Sequence, residues 1–188
     1  MDHAQQMIKA RGAVPARIEE SGAEGDAIRA DEGRKAYELN VQQFCCAGLN
    51  FGYYYDDSPL IAYDDEAAPP YTMGGFTPST VPGCRAPHFL LTDGRSLYDA
   101  FGSDYTLLRF DTHVDATPLL SAARAHGVPM TVLDVRRAEA PEYRHSLVLC
   151  RADQHVTWRG NEVPEYPARL VDRLRGARTD QRNPPSSM

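Results

Sequence analysis

The side chains able to carry chemistry fall into four groups, and most lack the spacing their chemistry needs. Four cysteines, Cys45, Cys46, Cys84 and Cys150, offer thiols. A vicinal pair does not easily close a relaxed disulfide, and no CxxC or metal-ligand spacing occurs, so reduced and partly buried thiols are expected. Asp111, His113 and Asp115 alternate and carry ligand-type side chains. An aspartate capping the following helix, with solvated neighbours, explains them more simply than a metal does. Arg85 and His88 set a fixed cation near a titratable ring, which suits an acidic ligand, while Arg85 bonding to loop carbonyls is the structural alternative. Tyr53, Tyr54 and Tyr55 follow one another, and on an extended chain one side of such a run must face outward. Tyr53, Tyr55, Arg85 and His88 are therefore the candidate substrate or partner surface, and no catalytic or metal-binding set emerges.

Positioning these groups requires a scaffold whose elements are readable in order. A short helix is expected at the start, then a mobile stretch over 12–30. Tyr37, Val41, Phe44, Cys45 and Gly48 recur at helical spacing, which predicts an amphipathic helix from Asp31 with Gly48 as its stop. Phe51 to Tyr55 and Pro59 to Tyr63 read as a strand pair around Asp56-Asp57-Ser58. Residues 64–88 hold five prolines and three glycines and form an extended connector, too aromatic at Tyr71 and Phe76 to float free. A strand over His88 to Thr92, an Asp93-Gly94 turn and a short helix from Ser96 to Phe101 follow.

The pattern then sharpens: a strand Tyr105–Phe110, a helix Ala116–His126 capped by Asp115, and a strand Val128–Val135. A hairpin over 145–151 and 155–159 and a helix over Pro164–Arg175 complete it. The apolar runs Thr106-Leu107-Leu108 and Leu147-Val148-Leu149 mark central strands covered on both faces. A parallel βαβ unit followed by an antiparallel hairpin and a helix is thioredoxin-type layering. The expected fold is α/β, a thioredoxin-like central mixed sheet flanked by helices, with an N-terminal helix plus β-hairpin arm. Its divisions are an arm over 1–63, a connector over 64–88, the sheet domain over 89–175 and a disordered tail over 176–188.

Composition narrows the function classes. With 42% hydrophobic and 24% charged residues the chain is ordinary for a globular protein. The net charge is −6 and no basic stripe with interleaved aromatics occurs, which disfavours nucleic-acid binding. No apolar run has the length of a membrane span, and the polar start Met1 to Ala10 is no secretory signal, so a cytoplasmic location is expected.

Two stretches resemble a known family. Pro82-Gly83-Cys84-Arg85-Ala86-Pro87-His88, followed by Thr92-Asp93-Gly94-Arg95-Ser96-Leu97-Tyr98-Asp99, is similar to the start of the C-terminal domain of flavin-dependent phenol and polyketide hydroxylases. The run from Leu147 to Gly160, including Cys150-Arg151-Ala152-Asp153-Gln154-His155 and Trp158, is similar to the region near the end of that domain. Upstream, Gly48 to Pro59 resembles the segment joining the family's substrate domain to it. The likeness covers roughly 35–160, with Ala152 standing where the family usually has proline. The resemblance implies a parent enzyme that uses FAD and NAD(P)H.

This sequence has no GxGxxG and no later ribityl-binding GD motif, so no cofactor is expected in this chain and no hydroxylation by it alone. Thiol exchange is also set aside, because the turn Asp111 to Thr117, where a reactive cysteine would stand, has none. The expected role is a non-catalytic accessory or assembly domain, partnered by a second copy or by a separate flavin-binding subunit. The alternative is a small-molecule binding protein or a cofactor-free enzyme for aromatic or polyketide compounds.

Overall fold

The computed structural model describes residues 12–44 and 46–177, together with Gln5, Ile8 and Lys9. The expected first helix and tail fall largely outside the described residues. The ordered elements are α1 (Ala23–Phe44), α2 (Ala47–Phe51), β1 (Tyr105–Arg109), α3 (Thr117–Ala125), β2 (Met130–Asp134), β3 (Leu147–Cys150), β4 (Val156–Gly160) and α4 (Pro167–Leu174). Among the described residues no helix is long and apolar enough to cross a membrane.

The sheet runs β2-β1-β3-β4. β1 pairs parallel to β2, and β3 is antiparallel to both β1 and β4, so this is the mixed sheet expected from the sequence. Strand periodicity divides the core in two. Leu107, Leu147 and Leu149 face a layer made by Leu119 and Ala123 of α3 with Leu170, Val171 and Leu174 of α4. Leu108, Val148 and Cys150 face the other way, against Ala86, Leu97, Val135, Ala140 and Tyr143. Helices therefore cover one face, and irregular chain with two short 3-10 turns covers the other. The Tyr143 hydroxyl, buried in that second layer, donates to the Pro87 carbonyl at 2.7 Å and ties the connector to it.

The arm differs from expectation in three ways. First, α1 begins at Ala23, inside the stretch read as mobile. It carries little apolar stripe: Tyr37 is 66% exposed, and the Phe44 and Cys45 side chains lie outside the described residues. The helix is instead laced by ion pairs one turn apart, Arg29–Asp26, Arg34 with Asp31 and Glu38, and Lys35 with Asp31 and Glu32. Second, Gly48 does not stop this helix. It lies inside α2, where an added Cβ would collide with the Thr72 carbonyl.

Third, the expected strand pair does not form. Phe51 ends α2, and Tyr54 makes an isolated antiparallel bridge to Cys84. The backbone instead pairs with distant chain: Tyr55 N–H donates to Gly83 at 3.0 Å and Ala62 N–H to Thr157 at 2.8 Å. Gly83 and Cys84 in turn exchange bonds with Val156. The outer edge of β4 is thus closed by upstream chain, which meets the hydrogen-bonding demand of an edge strand.

Candidate functional site

The residues singled out in the sequence gather where this upstream chain crosses the β3–β4 turn. That turn is tight. Gln154 N–H donates to Arg151, Arg151 N–H to His155, and Gln154 holds a left-handed φ of 70°. Ala86 N–H donates to the Gln154 carbonyl at 2.8 Å, and Arg85 bridges to His155.

Arg85 is consequently held over the turn. Its Nε donates to Gln154 Oε1 at 3.0 Å, a second nitrogen reaches the same oxygen, and the third donates to the Asn50 carbonyl at 3.3 Å. The guanidinium also stacks 5.3 Å from the Phe51 ring and 5.2 Å from that of Tyr98. Every side-chain nitrogen is engaged without a carboxylate, so Arg85 clamps three segments together. His88 is exposed; its Nε2 lies 3.0 Å from Ser96 Oγ, and its ring stands edge-on to Tyr98 at 5.1 Å. Arg85 and His88 therefore meet at one tyrosine.

Tyr53 and Tyr55 pack on the fully buried ring of His155, at 5.1 and 4.8 Å. His155 Nδ1 sits 2.9 Å from the Asp153 carbonyl, and its buried Nε2 has no partner. The Tyr55 hydroxyl donates to Asp153 at 3.3 Å, and Arg151 lies over its ring. Partial burial and the Asp153 charge push the Tyr55 phenol up. Burial also pushes Asp153 up, but bonds from His155 and the Arg151 charge outweigh it and hold that carboxyl low. Tyr98, Asn50, Gln154 and His155 were not singled out as site residues. Gln154 and His155 sit inside a recognised motif, but their roles arise from the turn.

The outward faces form one surface. Tyr53 is 46% exposed, Tyr55 37% and Tyr71 46%. Phe51 lies 6.1 Å from Phe76, and both line a cleft with Tyr53, Pro69 and Tyr71. Its volume is about 20 Å³, room for about one water, so this is a surface and not a pocket.

The other chemical candidates lie elsewhere. Asp111 and Asp115 accept backbone N–H groups of His113 and Thr117 at 3.0 and 2.9 Å. The Thr117 hydroxyl and amide keep the Asp115 carboxyl low, so a carboxylate already occupies the N-terminus of α3. Among the described residues no three His, Cys, Asp or Glu stand together as a metal set. Cys84 and Cys150 are buried, and desolvation pushes both thiols up, away from the thiolate.

Known proteins share both this sequence and this architecture. The FAD-dependent monooxygenase opdD of Penicillium oxalicum is 32% identical over 156 residues, 78% of this chain and 29% of that protein. This chain is related to the FAD-dependent monooxygenases. A second such enzyme, apdD of Emericella nidulans, is 35% identical over 125 residues, 62% of this chain and 20% of its own length. Among solved structures, the rebeccamycin biosynthetic enzyme RebC with reduced flavin superposes with a TM-score of 0.71 at 30% identity, covering 94% of this chain and 32% of RebC. No family profile matches the chain. The chain therefore spans about a third or less of the FAD-dependent monooxygenases it matches, and a C-terminal portion of such an enzyme fits both coverage and fold. The likeness to flavin-dependent hydroxylases expected from the sequence is thus borne out at the level of the family.

Proposed function

We propose that this chain is a non-catalytic accessory domain of flavin-dependent aromatic hydroxylation, which binds no flavin itself and docks on a flavin-bearing partner. The observation that carries this reading is the continuous exposed aromatic surface of Phe51, Tyr53, Tyr55, Tyr71 and Phe76, fixed from behind by His155 and Arg85. Aromatic side chains held rigid in this way make strong association surfaces. Among the described residues the long helix α1 makes its main element contact with the preceding 3-10 turn and not with the sheet. Both features suit a chain that folds against something larger.

Flavin binding by the chain itself is disfavoured on local chemistry. In dinucleotide-binding folds the pyrophosphate sits at a glycine-lined helix N-terminus after a strand. The corresponding turn here, between β1 and α3, presents Asp111 and Asp115, already bonded to the N–H groups an anion would need. The mixed sheet order, with β3 antiparallel to the rest, is compatible with thioredoxin-type layering, and the turn has no cysteine for redox work.

The test is spectroscopic and hydrodynamic. The purified chain is expected to show no visible flavin absorbance and, lacking its flavin subunit, to cover the surface with a second copy at micromolar concentration. Tyr53→Ser with Tyr55→Ser shifts it to monomer. Stoichiometric bound flavin would overturn the accessory role. A strict monomer whose solubility is unaffected by the two substitutions would remove the docking surface.

A further inference from the structure

Beside β4 lies a second groove, whose lining residues differ from those of the aromatic cleft. Three elements build its walls. Tyr166, Arg169, Leu170 and Arg173 fall at i, i+3, i+4 and i+7 and share one face of α4 and its first turn. Trp158 of β4 supplies the floor, and Tyr63 on the arm supplies the far wall. The volume is about 450 Å³, within the range of small-molecule sites.

The walls combine flat rings with cations. The Arg169 guanidinium lies over the Tyr166 ring at 4.6 Å. Among the described residues it makes no ion pair. Arg173 donates to the Ile61 carbonyl at 3.2 Å and has further N–H groups to spare. Arg159 also reaches the groove, but Asp64 and Glu66 bind it at 2.7 and 2.6 Å. The remaining carboxylate on the groove is Glu165. Arg159 offsets only one of its two acids, so the groove is close to neutral overall, and what it offers an anion is two guanidinium edges, at Arg169 and Arg173, that among the described residues no carboxylate occupies. The indole is held in place from beneath: a Cβ at Gly160 would come within 2.6 Å of the Trp158 ring.

We propose that this groove binds a planar aromatic carboxylate, its ring system lying on Trp158 and Tyr166 and its carboxylate taken by Arg169 and the free edge of Arg173. Stacking rewards a flat apolar plate, and the guanidinium fork matches a carboxylate in a way an uncharged ligand cannot exploit. Both features are needed, because an exposed ion pair alone contributes little.

Trp158 is the chain's only tryptophan, so its fluorescence reports on this groove alone. The full chain is titrated with anthraquinone-2-carboxylate and, separately, with anthraquinone-2-carboxamide, and calorimetry checks the same pairs. Saturable quenching by the acid is expected, with the amide weaker by about tenfold, the effect of losing a charge-assisted contact. Arg169→Gln should remove most of that preference, weakening the acid by much more than the amide. Gly160→Ala, which drives a methyl into the indole, should weaken acid and amide together. Equal binding of acid and amide by the unaltered chain, or no saturable quenching, overturns the proposal without recourse to a variant. Preference for the acid that survives Arg169→Gln overturns the role given to that arginine.

Discussion

Substituting Gly83 tests how the upstream chain is locked to the sheet. Gly83 has a φ of +100°, a region that costs a side-chain-bearing residue roughly 1–2 kcal/mol. An alanine Cβ there would stand 2.1 Å from the Tyr55 carbonyl oxygen and 3.2 Å from the Tyr63 ring. The segment must move, and it holds three bonds: Gly83 N–H to Val156 at 2.8 Å, Tyr55 N–H to Gly83 at 3.0 Å and the Tyr63 hydroxyl to Tyr55 at 2.9 Å. Losing two of them adds roughly 1 kcal/mol each, giving about 3–4 kcal/mol in all. At about 2–4 °C per kcal/mol for a chain of this size, Gly83→Ala should lower Tm by roughly 10 °C. Gly94→Ala is the matched control, because Gly94 has a φ of +82° but nothing within 4 Å of its Cβ position. It carries only the backbone term, and roughly 3 °C is expected. The assay is thermal melting by circular dichroism on both variants. If Gly83→Ala melts no lower than Gly94→Ala, the close approach of residue 55 to residue 83 is not what holds the arm.

Two further outcomes probe the sheet and its polar edge. Val148→Asp places a carboxylate at a fully buried position in a central strand, at a cost of roughly 3 kcal/mol or more, and should unfold the chain; an unchanged Tm would contradict the central position of β3. Arg159→Met removes the shared partner of Asp64 and Glu66, and because both acids are partly exposed the expected loss is about 1.5 kcal/mol. Burial pushes Asp64 up, but bonds from Arg159 and from the Glu66 amide outweigh it and leave its folded pKa below the unfolded value. That stabilisation is therefore complete above about pH 4 and fades as pH falls through the folded value. The Tm difference between the unaltered chain and Arg159→Met should shrink on acidification, and a constant difference across the titration would argue against the pairing.

The sheet was legible because its signals are local. Leu107-Leu108 and Leu147-Val148-Leu149 are unbroken apolar runs, and Asp115, Gly127 and the Asp153-Gln154 turn mark where elements start and stop. The long helix was cut short because its support is electrostatic. Hydrophobic periodicity does not register Arg34 reaching Asp31 and Glu38, or Lys35 reaching Asp31 and Glu32. The Tyr53 to Tyr63 region was read as pairing with itself because aromatic alternation reports an extended chain but not its partner, which lies at residues 83, 84 and 157. The site divides in the same way. Tyr53, Tyr55, Arg85 and His88 stand out by type. Gln154 and His155 gain their roles only when a left-handed turn lifts them beneath Arg85 and the tyrosines.

The closure of β4 by upstream chain bears on how the molecule comes together. Ala62 bonds to Thr157, and Cys84 to Val156, across roughly half the length of the ordered chain. The β3–β4 hairpin and the β1-α3-β2 unit can form from near neighbours, but the arm must wait for a sheet edge to exist before it has anything to bond. Non-local pairings of this kind raise contact order and slow folding, although the entropy of closing the loop itself grows only gently with its length. Until the arm arrives, β4 is an open edge and Ile61 and His155 lack their cover. The interval before docking is therefore when the chain is most exposed to edge-to-edge association with its own copies.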